Sequence, residues 1–405
     1  MSWDVRPTKD IEELADAVGA ISHYFGAERD LEGVERFGKV LPLERMHAAF
    51  DGDLIVGGAG AFPFRMTVPG GPIACAGVTV VGVLPTHRRR GVLTAMMRAQ
   101  LEDVSERGEP IAALWASEEM IYRRFGYGLA ALSGEIDLPT GYAGLRDPPD
   151  PSAQARLITL EDAKALIPPI YDRVRLTTPG MFDRTEDWWA LRNLSDRPER
   201  RGGGGVKNAL VVELDSKPAG YALYRIHQKF EGGAAAGHVE VIEALADGPV
   251  ATRELWRVLL DMDWNAMLKA DLLPIDHPLL HQLRYPRRMG MRIGDGLWVR
   301  LVDVGAALSA RSYGGEGPVV FEVADAFLPE NARRWKLAGG SAEPTEDRAD
   351  LGLDVGELGA AYLGGFTFAE LVRAGVVREL KEGAAARADA VFLTDTPKPW
   401  CPEIF

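Results

Sequence analysis

The chain has 405 residues, 46% hydrophobic and 26% charged, too long for one hydrophobic core and enough for two or three domains. A formal net charge of -13 argues against a broad nucleic-acid-binding surface and suits a cationic substrate. Charges and glycines interrupt every apolar run, and the N-terminus, MSWDVRPTKD, lacks the layout of a signal peptide, so a cytoplasmic protein without a membrane span is expected. Two cysteines, Cys75 and Cys401, fit a reducing compartment and read as structural thiols.

Near the N-terminus EELADAVGAI has helical spacing, and HAAFDGDLIVGGAGAFPFRMTVPG reads as strands joined by Asp-Gly and Gly-Gly turns. AGVTVVGVLP is nearly continuous β-branched sequence, the pattern of a strand covered on both faces. From Gly91 the period becomes helical, with Val92, Leu93, Met96, Met97, Leu101 and Val104 on one stripe. IAALWA (111–116) is a second buried strand, and Ser117 in SEEMIYRRFGYG reads as the N-cap of a short helix. RDPPDPSAQ (146–154) is a linker, which ends a first domain at about residue 150. Residues 151–302 repeat these element types. NALVVELDSKPAGYALYRIH reads as a hairpin turning near Asp215–Pro218. GHVEVIEALADGPVATRELWRVLLDMD follows the plan of residues 77–107 without the arginines or the glycine of the first turn. RRGGGGVKN (200–208) is a surface loop with no dinucleotide fingerprint. Residues 303–405 alternate strands and helices as one small α+β domain and end in the aromatic, proline-rich DTPKPWCPEIF.

The stretch PTHRRRGVLTAMM (85–97) sets three arginines before a glycine and a helix start. A helix N-terminus after a strand, with a glycine for close backbone approach, is a phosphate cradle. Thr94 and the N–H groups of Gly91, Val92 and Leu93 could bond pyrophosphate oxygens, with charge-assisted bonds from Arg89 and Arg90. A Walker pattern is absent. Gly82 within a β-branched strand marks a bulge or close approach, and Pro85 removes a ladder donor. A strand that parts from its neighbour there could pair with an extended ligand carrying amides. Pyrophosphate with an amide-bearing arm describes coenzyme A; by these features alone it stands level with a plain solvated arginine cluster.

VTVVGVLPTHRRRGVLTAMM resembles the acetyl-coenzyme A motif of the GNAT acyltransferases. Together PTHRRRG, ASEEMIYRRFGYG, GYALYRI, DGLWVRLVDVGAAL and YLGG, spread over most of the chain, resemble the enhanced intracellular survival (Eis) family of N-acetyltransferases. The resemblance implies an α/β and α+β chain: tandem GNAT domains with mixed sheets flanked by helices, then a domain similar to sterol carrier proteins. The catalytic domain would span residues 1–150, a second GNAT-like domain without a cofactor site 151–302, and the last domain 303–405. A homohexamer is also implied. The implied acetyl-coenzyme A contacts are Val81, Gly82 and Val83, then Arg89, Arg90, Gly91, Val92, Leu93 and Thr94, and finally Ser117 and Glu118. A backbone N–H near Val83 would stabilise the developing oxyanion. Tyr122 matches the family's general acid, a phenol that keeps its proton at neutral pH. The family's general base is the α-carboxylate of the last residue, here Phe405, with Trp400 and the Phe405 ring as anchors. With a reference pKa near ~3.5 that group is ionised but weakly basic.

Two departures from the family pattern bear on amine specificity. Ile404 stands where members often carry a glutamate, and Glu403 lies one residue further back. The loop ISHYFGAERD matches poorly, and its Glu28, Arg29 and Asp30 read as solvated charges. His277 and His281, four apart, suggest surface or capping roles, and no metal site is expected. His87 reads as a partner of backbone or phosphate, and Trp188 and Trp189 read as packing residues. The expected activity is acetyl-coenzyme A-dependent acetylation of primary amines on a polycation, with aminoglycosides as the class the resemblance implies. Rival expectations are acetylation of protein lysines or polyamines, or a non-catalytic protein using its last domain to bind apolar ligands.

Overall fold

The computed structural model describes residues 3–405. The chain divides into two compact units. One comprises the residues up to Ala131, Gly296–Thr396 and the final two residues; the other comprises Leu132–Asp295 and Pro397–Glu403.

The first unit is built on a seven-stranded mixed sheet, ordered Asp4–Pro7, Met46–Asp51, Leu54–Val68, Gly71–Val83, Ile111–Trp115, Leu297–Leu301, Gly128–Leu129. Gly71–Val83 and Ile111–Trp115 run parallel, joined by the helix Val92–Glu106. That helix buries Val92, Met96, Met97, Leu101 and Val104, the stripe its spacing predicts, together with Gln100. The Gln100 amide donates to the Gly60 carbonyl at 3.0 Å, which satisfies half of an otherwise costly buried group. The same unit holds a five-stranded sheet ordered Ser341–Pro344, Arg334–Ala338, Val319–Ala324, Leu351–Asp354, Arg378–Glu379, with the helices Val355–Tyr362 and Ala384–Phe392.

The second unit carries its own seven-stranded sheet: Arg292–Asp295, Leu132–Pro139, Met267–Leu273, His238–Ala246, Lys217–His227, Asn208–Leu214, Ala153–Ile158. The hairpin turn lies where expected. Asp215 and Ser216 both have positive φ, 48° and 65°, the handedness that matches the twist of its two strands. The helix Pro249–Leu260 follows His238–Ala246 as the repeat predicts. Its turn lacks arginines but does carry a left-handed glycine, Gly248 at φ 99°, contrary to the expectation from sequence.

Sheet membership does not follow the linear division at residues 150 and 302. Leu132–Pro139 pairs within the second sheet, and Leu297–Leu301 pairs within the first, Leu297 opposite Trp115 and Leu301 opposite Ile111. A buried ion pair ties that strand in place: Arg300 Nη2 lies 2.5 Å from Asp325 Oδ2, and Asp325 also accepts the N–H groups of Phe327 and Leu328. His277 is buried against Trp256 and its Nδ1 accepts the Leu279 N–H at 3.1 Å, a capping role inside the core; burial holds its pKa down at about 4. His281 is exposed. Trp188 and Trp189 are packing residues, and both cysteines are buried.

Candidate functional site

The parallel ladder between Gly71–Val83 and Ile111–Trp115 ends at Gly77 opposite Ala113. On the other flank Gly58 pairs with Gly82 and Gly60 with Thr79, so Gly71–Val83 carries one extra residue there. Val80 absorbs it at φ 45°, a strained conformation for a β-branched side chain costing roughly 1–3 kcal/mol. The bulge bends the strand away from its parallel neighbour and frees backbone groups. Gly82 is needed there because a Cβ would lie 2.7 Å from the Cα of Ile21, at the end of the helix Ile11–Ser22. The expected outcome of Gly82→Ala is a displaced helix end and acetyl-coenzyme A binding weakened about tenfold, read by calorimetry. Unchanged affinity would show that this approach does not shape the site.

The arginine turn closes the base of the gap. His87 is buried, its Nε2 lies 3.1 Å from Asp51 Oδ2, and its Nδ1 lies 2.8 Å from Thr86 Oγ1. Arg89 and Gly91 both have positive φ, 61° and 85°, which curls the peptide N–H groups inward as in an anion-binding nest. The helix Val92–Glu106 has no side-chain cap and no acidic residue in its first turn. Its first internal bond runs from the Ala95 N–H to the Gly91 carbonyl, so the N–H groups of Val92, Leu93 and Thr94 have no acceptor within the helix. Such an end favours an anion by charge and by hydrogen bonding.

A cleft of about 560 Å³ occupies this gap. Its wall takes Val81, Gly82 and Val83 from the bulged strand, Arg89, Gly91, Val92, Leu93 and Thr94 from the turn, and Ser117, Glu118 and Tyr122 from the far side. Arg90 turns out of it: its guanidinium lies over the Trp3 ring at 5.2 Å and within 3.9 Å of Asp51. Ser117 is not the helix cap. Glu118 takes that position at φ -138°, ahead of the helix Glu119–Tyr122, without a side-chain capping bond. Tyr122 is 7% exposed and edge-on to Tyr127. Burial, and then the Glu118 charge, push its phenol up to about 12.

The wall also includes Ile21, Tyr24, Phe25, His87, Arg88, Ile121 and Arg124. The Tyr24 hydroxyl donates to the Val83 carbonyl at 2.7 Å, and the Arg88 guanidinium lies 5.8 Å from the Tyr24 ring. Arg88 stands within the arginine run and was open to the same reasoning as Arg89. Tyr24 and Phe25 come from a turn some sixty residues away in sequence, and local pattern carries no signal for them. Of the nearby loop charges, Arg29 pairs with Glu12 and Asp16, Asp30 caps the helix Leu31–Gly38, and Glu28 is exposed.

Phe405 is also outside the cleft wall. It is 8% exposed, with its ring edge-on to Phe64 at 5.0 Å; Phe64 stacks on Phe62, and Phe62 meets Phe37. In the second unit Trp400 is buried, its Nε1 donating to the Leu272 carbonyl at 2.6 Å. The chain end is therefore held by packing at both aromatic residues. Among the described residues no cluster of His, Cys, Asp and Glu could hold a metal ion, and no helix is long and apolar enough to cross a membrane.

Residues 4–130 match the family described as acetyltransferase (GNAT) domain, residues 180–301 match a second family of that description, and residues 304–402 match the sterol carrier protein domain. With the parted strands and the uncapped helix end, these define a GNAT N-acetyltransferase whose acetyltransferase fold occurs twice before a sterol-carrier-like domain. An N-acetyltransferase of Streptomyces avermitilis is 41% identical over 95% of each chain. The N-acetyltransferase Eis of Mycobacterium bovis is 34% identical over 85% of each. The crystal structure of Eis1 from Mycobacterium abscessus superimposes with a TM-score of 0.85 at 35% identity, covering 99% of this chain and 100% of that one. The chain belongs to the Eis family of N-acetyltransferases. GNAT acetyltransferases use acetyl-coenzyme A, and the donor-rich, closely approachable backbone of this cleft fits such a group.

Proposed function

We propose that this enzyme acetylates primary amines of a polycationic small molecule, with aminoglycosides as the substrate class and several amines per molecule within reach. The observation that carries the proposal is a single cleft wall joining an uncapped, acid-free helix end to a buried phenol. Acetyl-coenzyme A supplies the activated acyl group when bound there. The N–H groups of Val92, Leu93 and Thr94, with Arg89, hold the diphosphate. The bulged Val81–Gly82–Val83 segment offers backbone groups to the amide arm and a donor to the thioester carbonyl. Tyr122 gives its proton to the departing thiolate. The Phe405 α-carboxylate takes a proton from the incoming ammonium and helps to hold it, so that base and anchor are one group. The net charge of -13 draws a polycation toward the protein. We further propose that the enzyme acts in the cytoplasm as a homohexamer.

A thiol-release assay over aminoglycosides, polyamines and lysine peptides tests this reading. Aminoglycosides are expected to show the highest kcat/KM and to take up more than one acetyl group per molecule. Turnover confined to polyamines or lysine peptides would remove the aminoglycoside assignment. Calorimetry with no heat on adding acetyl-coenzyme A to folded protein would remove the cleft assignment itself.

A further inference from the structure

Within the first unit the arginine turn is braced from outside the cleft by the start of the chain. Asp4–Pro7 is an edge strand of the seven-stranded sheet, and its Asp4 pairs with Phe50. Trp3 precedes that strand and so comes level with Asp51, where Met46–Asp51 ends. Trp3 packs against a buried cluster of Ala49, Val56, Ala59, Val92 and Met96, which includes the first residue of the helix Val92–Glu106.

From there Trp3 Nε1 donates to the Arg90 carbonyl at 2.9 Å, and the Arg90 guanidinium lies back over the same ring. One carboxylate oxygen, Asp51 Oδ2, lies 3.1 Å from His87 Nε2 and 3.9 Å from Arg90 Nη2, so it meets both ends of the turn. The His87 ring stands edge-on to Trp3 at 6.1 Å. Asp51 is half exposed, so its loose ion pair with Arg90 is screened and contributes little. The bond from Trp3 is the short, directional contact on the turn.

A trans peptide is planar, with its C=O and N–H on opposite sides. Fixing the Arg90 carbonyl on Trp3 therefore aims the Gly91 N–H the other way. Gly91 lines the cleft, and its N–H has no acceptor among the described residues. It lengthens by one the run of free donors at Val92, Leu93 and Thr94. Nothing in Gly91 itself holds that peptide. At φ 85° it has no side chain, and the one atom within 4 Å of where a Cβ would stand is Trp3 Nε1, at 3.9 Å.

We infer that Trp3 is the positioning residue for the Gly91 donor, and that the N-terminal segment thereby sets acetyl-coenzyme A affinity through the diphosphate. This rests on the reading of the turn as the diphosphate site. It also gives Arg90 a role there: Arg90 serves the site through its carbonyl and not through its guanidinium.

Trp3→Phe keeps an aromatic ring and deletes the donor. KM for acetyl-coenzyme A is expected to rise about tenfold, near the worth of one hydrogen bond to a charged group, with kcat within about twofold. S-acetylpantetheine carries the same thioester and amide arm without the diphosphate. Its kcat/KM should agree between variant and parent within about twofold. Arg6→Gln loosens the same strand by breaking the Arg6–Glu13 pair at 2.8 Å, and it leaves the turn untouched. It should keep KM for acetyl-coenzyme A within about twofold of the parent. An unchanged KM in Trp3→Phe, an equal loss with both acyl donors, or an equal rise in Arg6→Gln would overturn the inference. A parent enzyme that uses S-acetylpantetheine as well as acetyl-coenzyme A would remove the diphosphate reading of the turn and this inference with it. A silent Trp3→Phe beside a parent that strongly prefers acetyl-coenzyme A would remove only the inference.

Discussion

Tyr122→Phe is expected to lower kcat by about 10²- to 10³-fold while leaving acetyl-coenzyme A affinity within about twofold. The substitution removes one oxygen from a side chain whose ring packs edge-on to Tyr127 and is 7% exposed, so the cleft wall keeps its shape. On the proposed reading it also removes the proton that a thiolate needs as it departs. The pH dependence separates this role from a packing role. Burial and the Glu118 charge raise the phenol to about 12, so the proton stays in place as pH rises through the range where an exposed tyrosine would lose it. Turnover should show no alkaline loss from this group until pH approaches that value. Measurement of kcat against pH for enzyme and variant checks both points. A variant with parental kcat would show that Tyr122 only lines the cleft.

Adding residues after Phe405 is expected to lower kcat at least about 10²-fold without a change in thermal midpoint or in acetyl-coenzyme A binding. The extension turns an α-carboxylate into a neutral amide. It leaves the Phe405 ring free to stay against Phe64, and it leaves Trp400 and Glu403 with their partners. A dead enzyme that melts normally and binds acetyl-coenzyme A normally places the loss on the missing carboxylate. An extended chain of full activity would require another base.

The two experiments differ in what they exclude. The first addresses departure of the thiol and the second addresses deprotonation of the amine. Loss in either with an intact cofactor site means that the cleft binds its acyl donor independently of the acid and the base, as the proposed assignment of the diphosphate to Arg89 and the N–H groups of Val92, Leu93 and Thr94 requires.

What the sequence determined by itself was local. The switch from β-branched run to helical stripe placed the strand, the arginine turn and the helix start. Gly82 signalled a bulge or a close approach, and the structure has both, with the extra residue taken up at Val80; Gly91 signalled close backbone approach, and its left-handed turn before an uncapped helix came from the structure. Asp215 and Ser216 signalled a hairpin in the second unit. Each of these follows from backbone sterics or periodicity within a dozen residues. The acid and base assignments came from family resemblance and not from local chemistry. Only the tertiary structure decided the rest. It exchanged Leu132–Pro139 and Leu297–Leu301 between sheets, brought Tyr24 over Val83, turned Arg90 toward Trp3, and paired Glu403 with the buried Arg184. Strand partners and buried ion pairs are chosen by hydrogen-bond closure and desolvation among segments far apart in the chain, and neither quantity is written in the order of neighbouring residues.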